Sequence, residues 1–315
     1  MRTVARPGGT MTPPDVHPAE PVLLRTVGVI GTGLIGTSIA LALRERGVTV
    51  HLSDRDPEAA RCAATMGAGT VEPCGTTVDL GIIAVPPTAV GAVLAEAQAQ
   101  GLAQAYTDVA STKARPYRDA VAAGCGTATF VGGHPMAGSE ASGPTAARPG
   151  LFVGRPWVLT PGEKAGQYVR AAVAELVELC SAVPVIMDPE HHDRAVALIS
   201  HAPHVLSTLM AARLEHLDGA ALGLAGRGVR DVTRIAGGDP MLWADILSSN
   251  ASVIADILDF LVADMASAST ALRSLGSATD PEYDKAGTQL VDLLARGRAG
   301  YDRLNPLSEG ADVAR

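Results

Sequence analysis

Thr26-Val27-Gly28-Val29-Ile30-Gly31-Thr32-Gly33-Leu34-Ile35-Gly36 is the stretch that decides the fold. Its first five residues are apolar or small and read as a short buried strand. The next six spell G-x-G-x-x-G, and residues 34–46 follow with helical periodicity up to Gly47 at a C-cap position. A strand, a glycine turn and a helix in that order form a dinucleotide-binding fingerprint. Gly31 permits the tight turn, Gly33 lets the backbone approach a pyrophosphate, and Gly36 allows close packing of helix on strand. Leu34 and Ile35 open the helix, where main-chain N–H groups and the helix dipole hold an anion. Asp54 closes the second strand 18 residues beyond Gly36, where an acid meets the adenosine ribose. Its charge opposes a 2′-phosphate and favours NAD over NADP. Arg55 works the other way, since an arginine there can meet a phosphate or lie over the adenine.

Downstream, strand-like and helical segments keep alternating: strands over 48–52, 80–85, 106–109 and 129–131, helices over 57–66, 87–99 and 113–123. Two more strands fit 157–159 and 183–187, around a helix over 164–180. This alternation predicts a parallel sheet wrapped by helices. After Asp188 the strand signals stop, and 189–216, 218–236, 240–274 and 280–297 are helical in pattern, rich in Ala and Leu. The predicted fold class is therefore α/β, an N-terminal Rossmann-type parallel-sheet domain followed by an all-helical domain. The expected division is a disordered tail over 1–22, a dinucleotide-binding domain over 23–188, a helical substrate and dimerisation domain over 189–300, and a tail over 301–315. Long apolar helical faces of this kind are buried by a second copy, so a homodimer is expected.

Composition narrows the partners. The chain has 315 residues, with 25 Lys+Arg against 33 Asp+Glu, and a net charge of −8 disfavours a grip on nucleic acid. It is 47% hydrophobic but only 3% aromatic, so Ala, Val, Leu and Ile must build the core. No membrane span is expected, because apolar runs are interrupted by proline or charge. Residues 1–21 carry Pro7, Pro13, Pro14, Pro18 and Pro21 with no apolar segment resembling a signal peptide. Cys62, Cys74, Cys125 and Cys180 are scattered, which fits reduced thiols in a cytoplasmic protein.

Ligands of such sheets lie beyond the carboxyl ends of the strands, and two polar segments sit there. One is Asp108-Val109-Ala110-Ser111-Thr112-Lys113, and the other Gly132-Gly133-His134-Pro135-Met136-Ala137-Gly138-Ser139-Glu140. His134 is placed to reach a bound nicotinamide, and a neutral imidazole suits removal of a hydroxyl proton near pH 7. The bland reading is a histidine that only hydrogen-bonds its loop. In the helical half, His201 and His204 are three apart and share a helix face. Together with His191, His192 and Asp193 they make a metal site conceivable, but the spacing is not that of a zinc motif and no metal is predicted. Arg230, Asp231 and Arg234 read either as a solvated face or, if Arg234 points into the cleft, as a carboxylate clamp.

G-T-G-L-I-G-T-S, D-V-A-S-T-K, G-G-H-P-M-A-G-S-E, S-H-A-P-H and R-D-V-T-R-I-A-G-G-D-P-x-x-W, in this order over roughly residues 25–300, resemble the prephenate/arogenate dehydrogenase (TyrA) family of tyrosine biosynthesis. The resemblance implies NAD-dependent oxidative decarboxylation of prephenate, a small-molecule substrate, to 4-hydroxyphenylpyruvate. It implies His134 as the catalytic histidine and Ser111 as the residue that hydrogen-bonds the C4 hydroxyl and orients the nicotinamide. Arg234 would hold a substrate carboxylate, with His201 and His204 on the substrate side, and Glu140 and Asp231 as acids that gate or position the arginine. Arogenate and 4-amino-4-deoxyprephenate remain alternative substrates. Outside the family, a hydroxyacid or imine dehydrogenase and a non-catalytic NAD-binding protein are the competing readings. The base reading of His134 predicts an acid limb with an apparent pKa of about 6–7.

Overall fold

The computed structural model describes residues 23–138, 141–277 and 280–309. The tail expected over 1–22 lies outside them.

Seven strands form one sheet: β1 (Thr26–Ile30), β2 (Thr49–Ser53), β3 (Val78–Ile83), β4 (Ala103–Asp108), β5 (Phe130–Pro135), β6 (Pro156–Pro161) and β7 (Val183–Ile186). Their order is β2-β1-β3-β4-β5-β6-β7. The first five run parallel, with helices α1 (Leu34–Glu45), α2 (Pro57–Thr65), α3 (Val90–Ala99) and α4 (Ala114–Ala122) in the connections. The sheet is not wholly parallel as the alternation predicted, because β6 pairs antiparallel to β5. Among the described residues the connection between them holds two short 3-10 turns and no α-helix of the kind that carries the parallel crossovers elsewhere in the sheet. Helix α5 (Gln167–Leu179) supplies such a crossover, and β7 lies parallel to β6.

Aliphatic residues fill both faces of the sheet. Leu80, Ile82, Ala105 and Val131 pack with Ile39 and Leu43 of α1 and Val173 and Leu176 of α5. Ile83, Tyr106 and Phe130 pack on the opposite face with Val90 and Leu94 of α3 and Ala120 of α4. With helices on both faces, ligands are left only the edge at the carboxyl ends of the strands.

From Pro189 onward the described residues are helical: α6 (Pro189–Val196), α7 (Ala202–Ala212), α8 (Gly219–Gly223), α9 (Arg227–Thr233), α10 (Pro240–Ser249), α11 (Ala251–Ser277) and α12 (Asp280–Glu309). Each helix expected over 189–216 and 240–274 is broken once. A π turn over Ala197–His201 separates α6 from α7, and the chain bends by 94° at Asn250 between α10 and α11. Helix α12 runs past residue 300, so residues 301–309 continue the helix rather than forming part of a tail. By length and composition the run Pro189–Ala212 is apolar enough to cross a membrane. A third of its most apolar window is buried, and the run holds the buried polar residues His192, Asp193, His201 and His204, which tie it to the rest of the fold.

Candidate active site

A cleft of about 660 Å³ lies between the carboxyl edge of the sheet and the helical half. The sheet side contributes Gly33, Leu34, Ile35 and Gly36, the segment Ala84–Pro87 after β3, Ser111 after β4, and His134 at the end of β5. The helical side contributes Ile199, Ser200 and His201 of the π turn, Arg234, Trp243 and Ile246. Four of the polar residues singled out in the sequence thus meet in one cleft: Ser111, His134, His201 and Arg234.

The glycine turn has the shape a pyrophosphate requires. Gly31 has φ +102°, and a Cβ there would lie 2.2 Å from the carbonyl oxygen of Ala84. A Cβ on Gly36 would lie 2.0 Å from the carbonyl oxygen of Gly31. A Cβ on Gly33, by contrast, would meet nothing within 4 Å, so this glycine opens toward the cleft. Two glycines close the turn and the third leaves a cradle that only a ligand would fill. Asp54 stands beside the turn rather than in the cleft lining. Its Oδ2 accepts from the Thr32 main-chain N–H at 2.6 Å and from the Thr32 hydroxyl at 2.9 Å, which ties the end of β2 to the turn. Arg55 beside it is exposed.

One polar end of the cleft centres on His134. Its Nδ1 lies 2.8 Å from Nε2 of His192, and the two rings meet edge to face at 78°. Nδ1 of His192 lies in turn 2.8 Å from Oδ1 of Asp193. Asp193 also accepts from the main-chain N–H groups of Lys113 and Ala114 at 2.8 and 2.9 Å, capping the start of α4. Below the ring, the Lys113 ammonium donates to Asp108 and to the carbonyl of Gly133, with both charged side chains essentially inaccessible. Burial pushes the Asp108 carboxyl up and the Lys113 ammonium down, while each partner's charge opposes that. Burial, and then the fields of His192, Lys113 and His201, hold the His134 imidazole well below its ordinary value. A cation in this position is desolvated and faces the Lys113 ammonium, so an acid limb set by this ring would lie below the value of about 6–7 expected from the sequence.

Burial also depresses His201, to about 4. Nδ2 of Asn250, at the bend after α10, donates to Nδ1 of His201 at 3.3 Å and to the carbonyl of Asp193 at 2.8 Å. His204 stacks on Trp243 with ring centroids 3.5 Å apart and stands behind the cleft lining rather than in it. Asp231 is exposed on α9 and is also absent from the lining. Glu140 lies outside the described residues. His192 and Asp193 carry the support of His134, a role the spacing could not reveal, since 58 residues separate the two histidines.

Two family models cover most of the chain. One, prephenate dehydrogenase nucleotide-binding domain, matches residues 39–186; the other, prephenate dehydrogenase dimerization domain, matches 188–294. The chain belongs to the prephenate dehydrogenase family. A probable prephenate dehydrogenase of Streptomyces niveus, NovF, is 42% identical over 286 residues, covering 89% of this chain and 78% of its own. Among solved structures, prephenate dehydrogenase of A. aeolicus, in complex with hydroxyphenyl propionate and NAD+, is 25% identical with a TM-score of 0.74 over 89% of this chain and 98% of its own. Synechocystis arogenate dehydrogenase is 27% identical with a TM-score of 0.68 over 89% and 99%. This prephenate dehydrogenase family member therefore places its polar cleft residues at the junction of the two matched segments.

Proposed function

We propose that the protein is an NAD-dependent prephenate dehydrogenase that oxidatively decarboxylates prephenate to 4-hydroxyphenylpyruvate in tyrosine biosynthesis. The observation that carries this reading is the convergence of His134, Ser111 and Arg234 on a cleft that the glycine turn enters. NAD, when bound, supplies a hydride acceptor. The open face of Gly33, with the turn closed tightly by Gly31 and Gly36, suits its pyrophosphate, and Asp54 with Arg55 stands on the ribose side.

In this reading Nε2 of His134 takes the proton of the C4 hydroxyl as the carbonyl forms, and Ser111 hydrogen-bonds that hydroxyl. A depressed imidazole is neutral at pH 7 and ready to accept. Arg234 holds a substrate carboxylate from the helical side and His201 borders the substrate. His204 acts through Trp243, against which it stacks, Asp231 influences the arginine from outside the lining, and Glu140 is an acid that gates or positions it. Loss of hydride and CO2 makes the ring aromatic, so the protein's main task is alignment.

The working unit is a homodimer in the cytoplasm. Phe260, Leu272, Val291 and Leu294 of α11 and α12 are each more than half exposed, a pattern that a second copy would cover. The four cysteines are free, as a reducing compartment requires.

The test is the rise of NADH absorbance when prephenate and NAD are supplied together, compared with arogenate in place of prephenate. Turnover with prephenate is expected. Absence of turnover with both compounds overturns the proposal. Arogenate oxidation is the second reading, favoured by the likeness to the Synechocystis enzyme, and a higher kcat/KM for arogenate selects it.

A further inference from the structure

We infer that His192 and Asp193 are positioning residues that fix which nitrogen of His134 is free to accept a proton. The inference rests on the reading of His134 as the base, and it follows from hydrogen-bond geometry. Asp193 accepts from two main-chain N–H groups as well as from Nδ1 of His192, so it acts as an ionised, acceptor-only carboxylate. Nδ1 of His192 must then carry a proton. A neutral His192 with that proton has a bare Nε2, which at 2.8 Å can only accept from Nδ1 of His134. His134 is left with its Nε2 unprotonated, and this is the nitrogen not engaged by His192.

The opposite arrangement disables the site. If His192 were doubly protonated, its Nε2–H would donate to Nδ1 of His134, and a neutral His134 would carry its proton on Nε2. His192 is 1% exposed, and the groups facing the pair are the Lys113 ammonium with its partner Asp108, the imidazole of His201 and the Asp193 carboxylate itself. When Nε2 takes the proton of the substrate O–H, the Nδ1–H of His134 remains donated to His192. The new positive charge is thereby shared along a chain that ends on Asp193.

Two substitutions separate this role from a merely structural one. Asparagine places its amide where imidazole Nδ1 lies, and glutamine places its amide where Nε2 lies. His192→Asn therefore retains the contact to Asp193 alone, and His192→Gln the contact to His134 alone. With prephenate and NAD, His192→Asn is expected to lower kcat by about a hundredfold and His192→Gln by less than about tenfold, with both KM values within about threefold. A structural prop for Asp193 predicts the reverse order, so equal or reversed losses overturn the inference. In the unaltered enzyme, 15N-histidine NMR, with His134 assigned by its loss in His134→Asn, should show Nδ1 protonated and Nε2 bare. An Nε2–H tautomer overturns the inference even if neither His192 variant folds. Full turnover by His134→Asn defeats the base reading as well, whereas an inactive His134→Asn beside a fully active His192→Asn defeats this inference alone.

Discussion

The main-chain N–H of Lys113 donates to Oδ1 of Asp193 at 2.8 Å, joining residues 80 positions apart. Lys113 ends the loop that carries Ser111, and Asp193 lies on the first helix after the sheet, beside His192. One carboxylate thus sets the serine loop and the histidine pair in register. Asp193→Ala leaves the N–H groups of Lys113 and Ala114 and Nδ1 of His192 without their acceptor. A loss of about 3 kcal/mol is expected, read from the urea midpoint at unchanged m.

The glycine turn separates binding from folding. Gly33 has an ordinary φ of −71° and open space at its Cβ position, so Gly33→Ala should fold with an unaltered melting temperature but raise KM for NAD at least about tenfold. Gly36→Ala forces a Cβ to 2.0 Å from the Gly31 carbonyl, and should lower the melting temperature itself. Similar melting of the two variants would contradict this division of labour.

Asp54 is held against Thr32 by two hydrogen bonds, which place a fixed negative charge beside the turn. Asp54→Ser should raise the ratio of kcat/KM for NADP over NAD by about tenfold or more, since the repulsion of a 2′-phosphate disappears. An unchanged ratio would assign the discrimination elsewhere, with Arg55 the first place to look.

His134 and Arg234 should separate kcat from KM. His134→Asn is expected to lower kcat at least about a hundredfold with little change in KM, and Arg234→Gln to raise KM for prephenate by about 10–100-fold. In the unaltered enzyme, kcat/KM should stay level as pH falls from about 8 to 6.5 and decline only below, because the imidazole titrates below its ordinary value. A decline centred on pH 7 would contradict the environment described for the ring.

His201 links stability to pH. Its folded value of about 4 lies below the ordinary 6.5, so unfolding takes up a proton anywhere between the two. Its contribution is fully present above about pH 6.5 and is lost as pH falls toward 4. Between about pH 7.5 and 5 the unaltered protein should lose about 2 kcal/mol more than His201→Asn does, in urea unfolding at each pH.

The two halves differ in how much their residues reveal alone. G-x-G-x-x-G after an apolar strand is a local signal: the required φ at Gly31 and the close approach at Gly36 are properties of a few adjacent residues. The helical half was legible as helix, but not its interruptions. The π turn that carries His201 and the bend at Asn250 are set by packing and by bonds to distant partners. The same holds for β6, which runs antiparallel to β5 after a connection that has no α-helix among its described residues.

Sequence by itself determined the dinucleotide turn, the succession of sheet and helical halves, and the polar residue types at the strand ends, because these depend on periodicity and local backbone geometry. Tertiary structure alone decided that Ser111, His134, His201 and Arg234 share a cleft, that His204 and Asp231 stand outside its lining, and that His192 and Asp193 back the central imidazole. The reason is physical: a hydrogen bond of 2.8 Å between residues 58 positions apart leaves no trace in spacing, since chain folding, not covalent neighbourhood, sets that distance.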